Sequence, residues 1–355
     1  MKTQDFDFDL DSSIMPHDPI QLRGNVRESG KMVVLDRTAS TTQHTVFTKI
    51  CDYFRTGDLL VLNDSYMLSN TLSFQGPDQS PQITVYGHEP EGTTIVDVKT
   101  KPAFIKPGAT LPCTDDNRLV CRLLEELPDK LWRVQFEPAE LLVPTLEQFG
   151  QRLDETIHLD PSHWRASRQA YRSVYAKAPG SLEIPSAGLH FSQDLLAQAV
   201  DKGVELAYIT LHVGATETLA VRHISEDEIE NHKVRSEYYE VGDETAAQIS
   251  RARAGERRVI AVGTTVMRTL ETLAVGKDPK APIEPKAGWT DLYIYPGFEF
   301  KAVNVLLTNL HRPRSSHIVL TAAFAGKDLV MLSYAEITNR GGYEFDMFGD
   351  SMLIM

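Results

Sequence analysis

Three histidines stand where a side chain can leave the fold and meet a ligand. His190 follows the turn cluster Pro185-Ser186-Ala187-Gly188, His212 falls on the polar face of an alternating stretch, and His311 lies in the polar loop Thr308-Asn309-Leu310-His311-Arg312-Pro313. A neutral imidazole takes up and returns protons near pH 7, and a carboxylate partner, here Asp350 or Glu271, would fix its tautomer. One such histidine is more often a satisfied structural group; three in comparable positions favour acid–base chemistry. Metal ligation is the competing use, but neither the spacing nor an acidic cluster supports it, and no metal is expected. Gly263-Thr264-Thr265 points to different chemistry. It follows the continuous apolar run Arg258 to Val262 and precedes the helical pattern Val266 to Ala274. Strand, glycine, hydroxyl cap and helix together turn free N–H groups and a positive dipole end toward an anion. Arg268 and Glu271 sit three apart on that helix and can pair on one face. As a surface pair they would contribute under about 1 kcal/mol; near a helix start they can instead hold a ligand carboxylate or ribose hydroxyls.

These residues need elements to hold them. Ser192 is placed to cap a helix that Gly203 closes, and Leu195, Leu196, Ala199 and Val200 recur at intervals of three and four. From Val204 to Val213 the period changes to two, with Ile209, Leu211 and Val213 on one face and Tyr208, Thr210 and His212 on the other. A strand is expected at Leu59 to Leu62, with Met32 to Leu35 beside it, and a turn at Asn63-Asp64-Ser65. Residues 67–148 read differently. Short alternating segments (82–86, 94–98 and 131–136) are separated by Pro, Gly and Asp turns, which is the texture of a small antiparallel barrel or sandwich. After residue 160 the pattern predicts a basic helix over 163–177, carrying Arg165, Arg168, Arg172 and Lys177, and a helix over 243–254 ended by Gly255. Further strands are expected at 258–262, 291–295, 302–307 and 318–324. The fold class is therefore mixed α/β with an inserted all-β segment.

A chain of 355 residues suits two domains rather than one core. No apolar run approaches the eighteen or so residues of a membrane span, and the acidic start MKTQDFDFDLDSS is unlike a signal peptide, so a cytoplasmic enzyme without a membrane partner is expected. Cys51, Cys113 and Cys121 are an odd number without CxxC spacing, and are read as buried thiols. The net charge of −13 argues against broad nucleic-acid binding, though not against a local basic face. GxxxxGK[ST], HExxH, GxSxG and a post-strand GxGxxG are all missing, which removes the usual nucleotide hydrolases, zinc peptidases, α/β-hydrolases and Rossmann-type methyltransferases.

Taken in order, VLDR, GDLLVLND, IPSAGLHF, TLHVGA, RVIAVGTTVMRTLE, YIYPGFEFKAVNVLLTNLHRP, AAFAG and FGDSMLI closely resemble the S-adenosylmethionine:tRNA ribosyltransferase-isomerases of queuosine biosynthesis. The match is collinear over nearly the whole chain and weakest between about 67 and 160. The resemblance implies S-adenosylmethionine as ribosyl donor, a 7-aminomethyl-7-deazaguanine at the tRNA wobble position as acceptor, and loss of adenine and methionine to give epoxyqueuosine-tRNA. It also implies a main domain of barrel-like mixed sheet and peripheral helices (1–66 and 149–355) and an inserted small antiparallel β-barrel (67–148); a monomer is expected. On this basis His190, His212, His311 and Asp350 are expected to be catalytic. Ser186, Gly188, Gly214, Gly263, Thr264, Thr265, Arg268, Glu271 and Asn309 would hold the cofactor, and Asn63, Asp64, Arg165, Arg168 and Arg172 the acceptor. The chain departs from the family pattern at several places. Asn63 to Leu72 lacks both arginines of NDTRVxPARL; Thr216-Glu217-Thr218 replace Gly-Thr-Phe; His232 to Glu237 loses the second histidine of HxMHxE; and Tyr343 to Asp350 differs from YRFFSYGD. Losing arginine removes a bidentate donor. Two other readings therefore stand beside the first: the same cofactor pocket with another, small-molecule acceptor, and a non-catalytic S-adenosylmethionine-binding protein.

Overall fold

The computed structural model describes the chain except for residues 89–91, 99–102, 128–130, 152–166, 215–222, 235 and 279–280. Strands β1 (Lys31–Asp36), β2 (Thr41–Val46), β3 (Leu59–Asn63) and β4 (Ser65–Met67) open it. They are followed by β5 (Thr71–Ser73), β6 (Gln82–His88), β7 (Thr94–Val98), β8 (Thr110–Pro112), β9 (Val120–Glu126) and β10 (Leu131–Glu137). Next come helix α1 (Leu142–Phe149), β11 (Ala178–Ser181), α2 (Gln193–Asp201), β12 (Glu205–His212), β13 (Glu237–Val241) and α3 (Asp243–Ala254). The last third holds β14 (Val259–Val262), α4 (Thr264–Ala274), β15 (Lys286–Thr290), β16 (Val305–Asn309), α5 (Ser316–Ala325), α6 (Lys327–Arg340) and β17 (Ser351–Ile354).

A nine-stranded mixed sheet runs in the order β15-β13-β12-β3-β14-β16-β17-β1-β2. Its centre is parallel, with β12, β3, β14 and β16 in mutual register. Such strands are buried on both faces, and β3 obeys this residue by residue. Leu59 and Val61 enter one core with residues of α3, α4, α5 and α6, while Leu60 and Leu62 enter the other with Phe47, Ile50 and the α2 stripe Leu195, Leu196 and Ala199. The α2 cap is as expected: Ser192 Oγ accepts the Leu195 N–H at 3.2 Å, and Gly203 leaves the helix at φ +88°. The β12 pattern also holds, with Ala207, Ile209 and Leu211 buried and the intervening side chains half-buried.

A second sheet of six antiparallel strands, β5-β6-β7-β10-β9-β8, gathers its own core around Phe74, Leu123, Trp132 and Val134, and α1 adds Leu142 and Leu146. Its two edges meet in one bridge, Phe74 to Cys113. No single helix among the described residues is long and apolar enough to cross a membrane.

Several expected elements differ. Residues 318–324 form α5, not a strand. Ser315 Oγ accepts the Ile318 N–H at 3.2 Å, and the helix is buried nearly all round, so a short apolar run carried no period to separate the two states. The β1 strand does not lie beside β3; it pairs with β17 (Met32 opposite Ser351) and β2, because β12 and β14 occupy both sides of β3. The strand expected at 291–295 is absent. The ladder stops at Thr290, whose hydroxyl accepts the Leu292 N–H at 3.2 Å and turns the chain. Of the basic helix expected over 163–177, residues 163–166 lie outside the described residues and 168–172 are turns, ordered by side-chain bonds to Glu147. Asn63-Asp64-Ser65 links β3 to β4 without reversing the chain. The α4 cap is Gly263 alone, with no hydroxyl on the first N–H groups.

Candidate active site

The parallel strands β12, β14 and β16 all end at one edge of the large sheet, and a cleft opens there. Ligand sites in such sheets lie beyond the carboxyl ends of the strands. Val213 follows β12, Val262 and Gly263 end β14, and Thr308 and Asn309 end β16. Ser186 of the 3-10 segment Ser186–His190, Thr264, Thr265, His311, His317, Asp346 and Met347 complete most of the wall. The continuous apolar run of β14 places α4 so that its first turn faces this space. Gly263 takes φ +93° and ψ 156°, a region open almost only to glycine. The Gly263 N–H is spent on Leu307 O at 2.7 Å, leaving the first-turn amides of Thr264 and Thr265 without intrahelical acceptors.

Asn309 organises the floor. Its Nδ2 donates to Asp346 O at 3.1 Å and Met347 O at 2.9 Å and lies 3.4 Å from Ser186 Oγ, while Oδ1 is 3.3 Å from His190 Nε2. His311 Nε2 is 2.9 Å from Thr308 Oγ1, its N–H donates to Tyr334 Oη at 2.8 Å, and its ring stacks on His317 at 5.1 Å. A smaller cleft adjoins the first, sharing Ser186 and Met347, and is lined by Arg27, Gly30, His190, Glu344 and Asp350 among others. His190 is buried and stacked on Phe47 at 5.0 Å. Burial lowers its pKa to about 4, so the ring is neutral at pH 7. Asp350 accepts the Lys31 N–H at 2.6 Å and the Glu344 N–H at 2.9 Å, yet burial outweighs these bonds and raises its carboxyl to about 6. Proton exchange is most effective when pKa and working pH are close, which favours Asp350 over His190 as a proton acceptor.

Of the expected residues, Ser186, Gly263, Thr264, Thr265, Asn309 and His311 line the first cleft, and His190 and Asp350 the second. Gly188 lies behind the wall: a Cβ there would come within 2.0 Å of Tyr175 Oη, so the glycine lets the Ser186–His190 segment sit down. The Gly214 N–H donates to Glu237 Oε1 at 3.0 Å. Arg268 and Glu271 do not form the expected i, i+3 pair. Arg268 makes a buried ion pair with Glu237 and donates to Leu292 O at 3.1 Å, whereas Glu271 accepts the N–H groups of Lys301, Ala302 and Val303 at 2.9–3.0 Å. Both carboxylates fasten backbone, and α4 thereby ties the end of β12 to β13. His212 stacks on Tyr238 at 6.2 Å, outside the lining of either cleft.

The acceptor-side residues are also engaged internally. The Asn63 amide bonds both the N–H and the C=O of Leu211, at 3.0 and 2.9 Å, and Asp64 accepts the Thr210 hydroxyl at 2.7 Å. Arg168 and Arg172 hold Glu147, with Arg172 also over the Tyr66 ring at 3.9 Å. Arg165 lies outside the described residues, as do Thr216, Glu217 and Thr218. His317, Asp346, Met347, Gly30 and Arg27 also line the two clefts and were not expected from the sequence. Only Gly30, a lone glycine at a strand start, carried any local signal. Among the described residues no group of three or more His, Cys, Asp or Glu side chains is arranged to hold a metal.

A mixed α/β sheet with a polar cleft at its parallel strand ends, a glycine-started helix facing it and two ionisable groups beside it defines an enzyme-like small-molecule site. The chain belongs to the family of queuosine biosynthesis proteins, whose profile matches residues 3–354. The S-adenosylmethionine:tRNA ribosyltransferase-isomerases of Desulfitobacterium hafniense and Natranaerobius thermophilus are each 36% identical to it, over 100% of this chain and 100% and 99% of theirs. The crystal structure of S-adenosylmethionine tRNA ribosyltransferase from Thermotoga maritima superposes with a TM-score of 0.56 at 32% identity, covering 99% of this chain and all of that one.

Proposed function

We propose that this protein is an S-adenosylmethionine:tRNA ribosyltransferase-isomerase. It transfers and isomerises the ribosyl group of S-adenosylmethionine onto 7-aminomethyl-7-deazaguanine in tRNA, giving epoxyqueuosine-tRNA with release of adenine and methionine. The observation that carries this reading is the cleft at the ends of β12, β14 and β16, set in a chain collinear throughout with relatives of that name. That full-length agreement does not favour the small-molecule acceptor or the non-catalytic alternative.

Bound S-adenosylmethionine supplies the ribosyl group and a sulfonium that acidifies the carbon beside it. The amides and hydroxyls of Thr264 and Thr265 suit its polar groups, since a helix start offers N–H donors and a positive dipole end. Asn309 fixes Ser186, His190 and the 346–347 carbonyls in one arrangement. Asp350 exchanges a proton near neutrality, His190 stays neutral as a hydrogen-bonding group, and His311, held by Thr308, serves proton transfer in the first cleft. Arg268, Glu271, Gly188 and Gly214 shape the site from behind. Arg168 and Arg172 lie on the acceptor side. We further infer a main domain (1–66 and 149–355) and an inserted β-barrel domain (67–148), supported by the separate core of the six-stranded sheet and its Phe74–Cys113 bridge. The protein is monomeric and cytoplasmic in this reading.

Adenine release from S-adenosylmethionine, assayed with and without tRNA bearing the deazaguanine precursor, tests it. Release only with that tRNA is expected; cofactor binding without tRNA-dependent release contradicts it. Full turnover by His311→Ala would remove that residue from proton transfer.

A further inference from the structure

We propose that the smaller cleft between Gly30, His190 and Asp350 is the subsite for a primary ammonium group, that of the acceptor's aminomethyl arm. The inference rests on the function proposed above and adds to it where the amine is held. Asp350 is 6% exposed, and its bonds come from two backbone amides. The other charged groups of the cleft are engaged elsewhere. Glu344 is paired with Arg23 at 2.6 Å, and Arg27 donates to Gln169 O at 3.0 Å and Leu189 O at 3.4 Å. Among the described residues Asp350 is thus the carboxylate of this cleft without an ion pair; the Lys31 ammonium, which donates to Gly342 O, acts on it only from a distance, and a buried anion so weakly compensated is costly. Burial raises the Asp350 carboxyl to about 6, so at neutral pH it is ionised and ready for a cation. His190 gives a second, independent indication. It is 7% exposed, its Nε2 is taken by Asn309, and its Nδ1 has no hydrogen bond among the described residues. Both groups converge on one point: a Cβ on Gly30 would lie 3.4 Å from Asp350 Oδ1 and 3.8 Å from His190 Nδ1. A carboxylate and an imidazole acceptor at that spot fit an N–H donor carrying positive charge. Ser186 and Met347 connect this smaller cleft to the first.

Gly30 offers a test that leaves both groups in place. It has φ −62° and ψ 159°, allowed for any residue, and its carbonyl still receives the Phe47 N–H at 2.9 Å. An alanine methyl makes ordinary contacts there, while valine fills the space. Wild type, Gly30→Ala and Gly30→Val would be compared in steady-state turnover and in binding of two tRNAs, one with the aminomethyl arm and one with a neutral nitrile at the same carbon. The expected result is at least a tenfold fall in kcat/KM for the tRNA in Gly30→Val, a smaller fall in Gly30→Ala, and an unchanged KM for S-adenosylmethionine. Wild type should prefer the aminomethyl tRNA about tenfold or more, and Gly30→Val should lose that preference. Unchanged tRNA kinetics in both variants overturns the proposal. A rise confined to the S-adenosylmethionine KM assigns the cleft to the cofactor's own ammonium and overturns it equally. Should Gly30→Val melt early, Gly30→Ala and the wild-type preference for the aminomethyl tRNA decide the matter. If wild type shows no tRNA-dependent turnover, the functional reading fails instead, a result separate from equal turnover by all three proteins.

Discussion

Replacing Asp350 by asparagine should change how stability depends on pH, and the size of the change follows from the structure. The carboxyl rises from its ordinary 3.8 to about 6 because burial outweighs the amides of Lys31 and Glu344. At about 1.4 kcal/mol per tenfold change in proton affinity, that shift is worth about 3 kcal/mol. The folded state holds this proton more tightly than the unfolded chain does. The cost of ionising it is therefore absent below about pH 4, grows as pH climbs, and is complete above about pH 6. Wild type should lose about 3 kcal/mol relative to Asp350→Asn between pH 4 and pH 7. Urea denaturation of both proteins at half-unit pH steps measures this, and taking the difference removes titrations common to both. A difference that is flat, or that moves in favour of wild type as pH rises, would refute the assignment of a buried and charge-deficient Asp350.

His190 should give the opposite slope. Its pKa falls from 6.5 to about 4, so wild type should lose about 3 kcal/mol relative to His190→Gln as pH drops from 6.5 to 4, measured by the same titration. Gly263→Ala forces an L-residue to φ +93° and ψ 156°, with a strain of about 1–3 kcal/mol. It should lower thermal stability and, if the strain turns the Thr264 and Thr265 amides aside, weaken S-adenosylmethionine binding at least tenfold by calorimetry; retention of both would contradict the role given to this helix start. Removing Arg268 as Arg268→Met takes the cation from the fully buried Glu237 and should cost about 3–5 kcal/mol in chemical denaturation, whereas the double variant Arg268→Met/Glu237→Leu should recover much of it. A single variant that stays stable yet loses cofactor binding would show Arg268 to be a ligand contact instead.

Much of the frame was legible because its signals are local. Continuous apolar residues marked β14, the glycine after Val262 marked the start of α4, and Ser192 with Gly203 bounded α2. The cleft-lining residues Ser186, Thr264, Thr265, Asn309 and His311 were within reach for the same reason: each ends a strand or opens a helix or turn. Partners distant in sequence could not be read from spacing. Arg268 looked toward Glu271 but bonds Glu237, thirty-one residues away, and Asn63 looked free in a turn but holds Leu211, 148 residues on. The α5 helix read as a strand because burial on all sides erased its period. The loop bearing Asp346 and Met347 reaches the cleft only because β17 returns beside β16 and β1.

In the proposed reaction this chain moves the ribosyl group of S-adenosylmethionine, not its methyl group, onto tRNA. Two samples of S-adenosylmethionine, one carrying carbon-13 throughout the ribose and one only in the methyl group, would each be incubated with the protein and tRNA bearing the aminomethyl deazaguanine. Mass spectrometry of the digested tRNA then reads the transferred atoms. A modified nucleoside heavier by five carbon-13 atoms from the first sample and unlabelled from the second is expected; methyl label in the tRNA, or no label from either sample, would contradict ribosyl transfer.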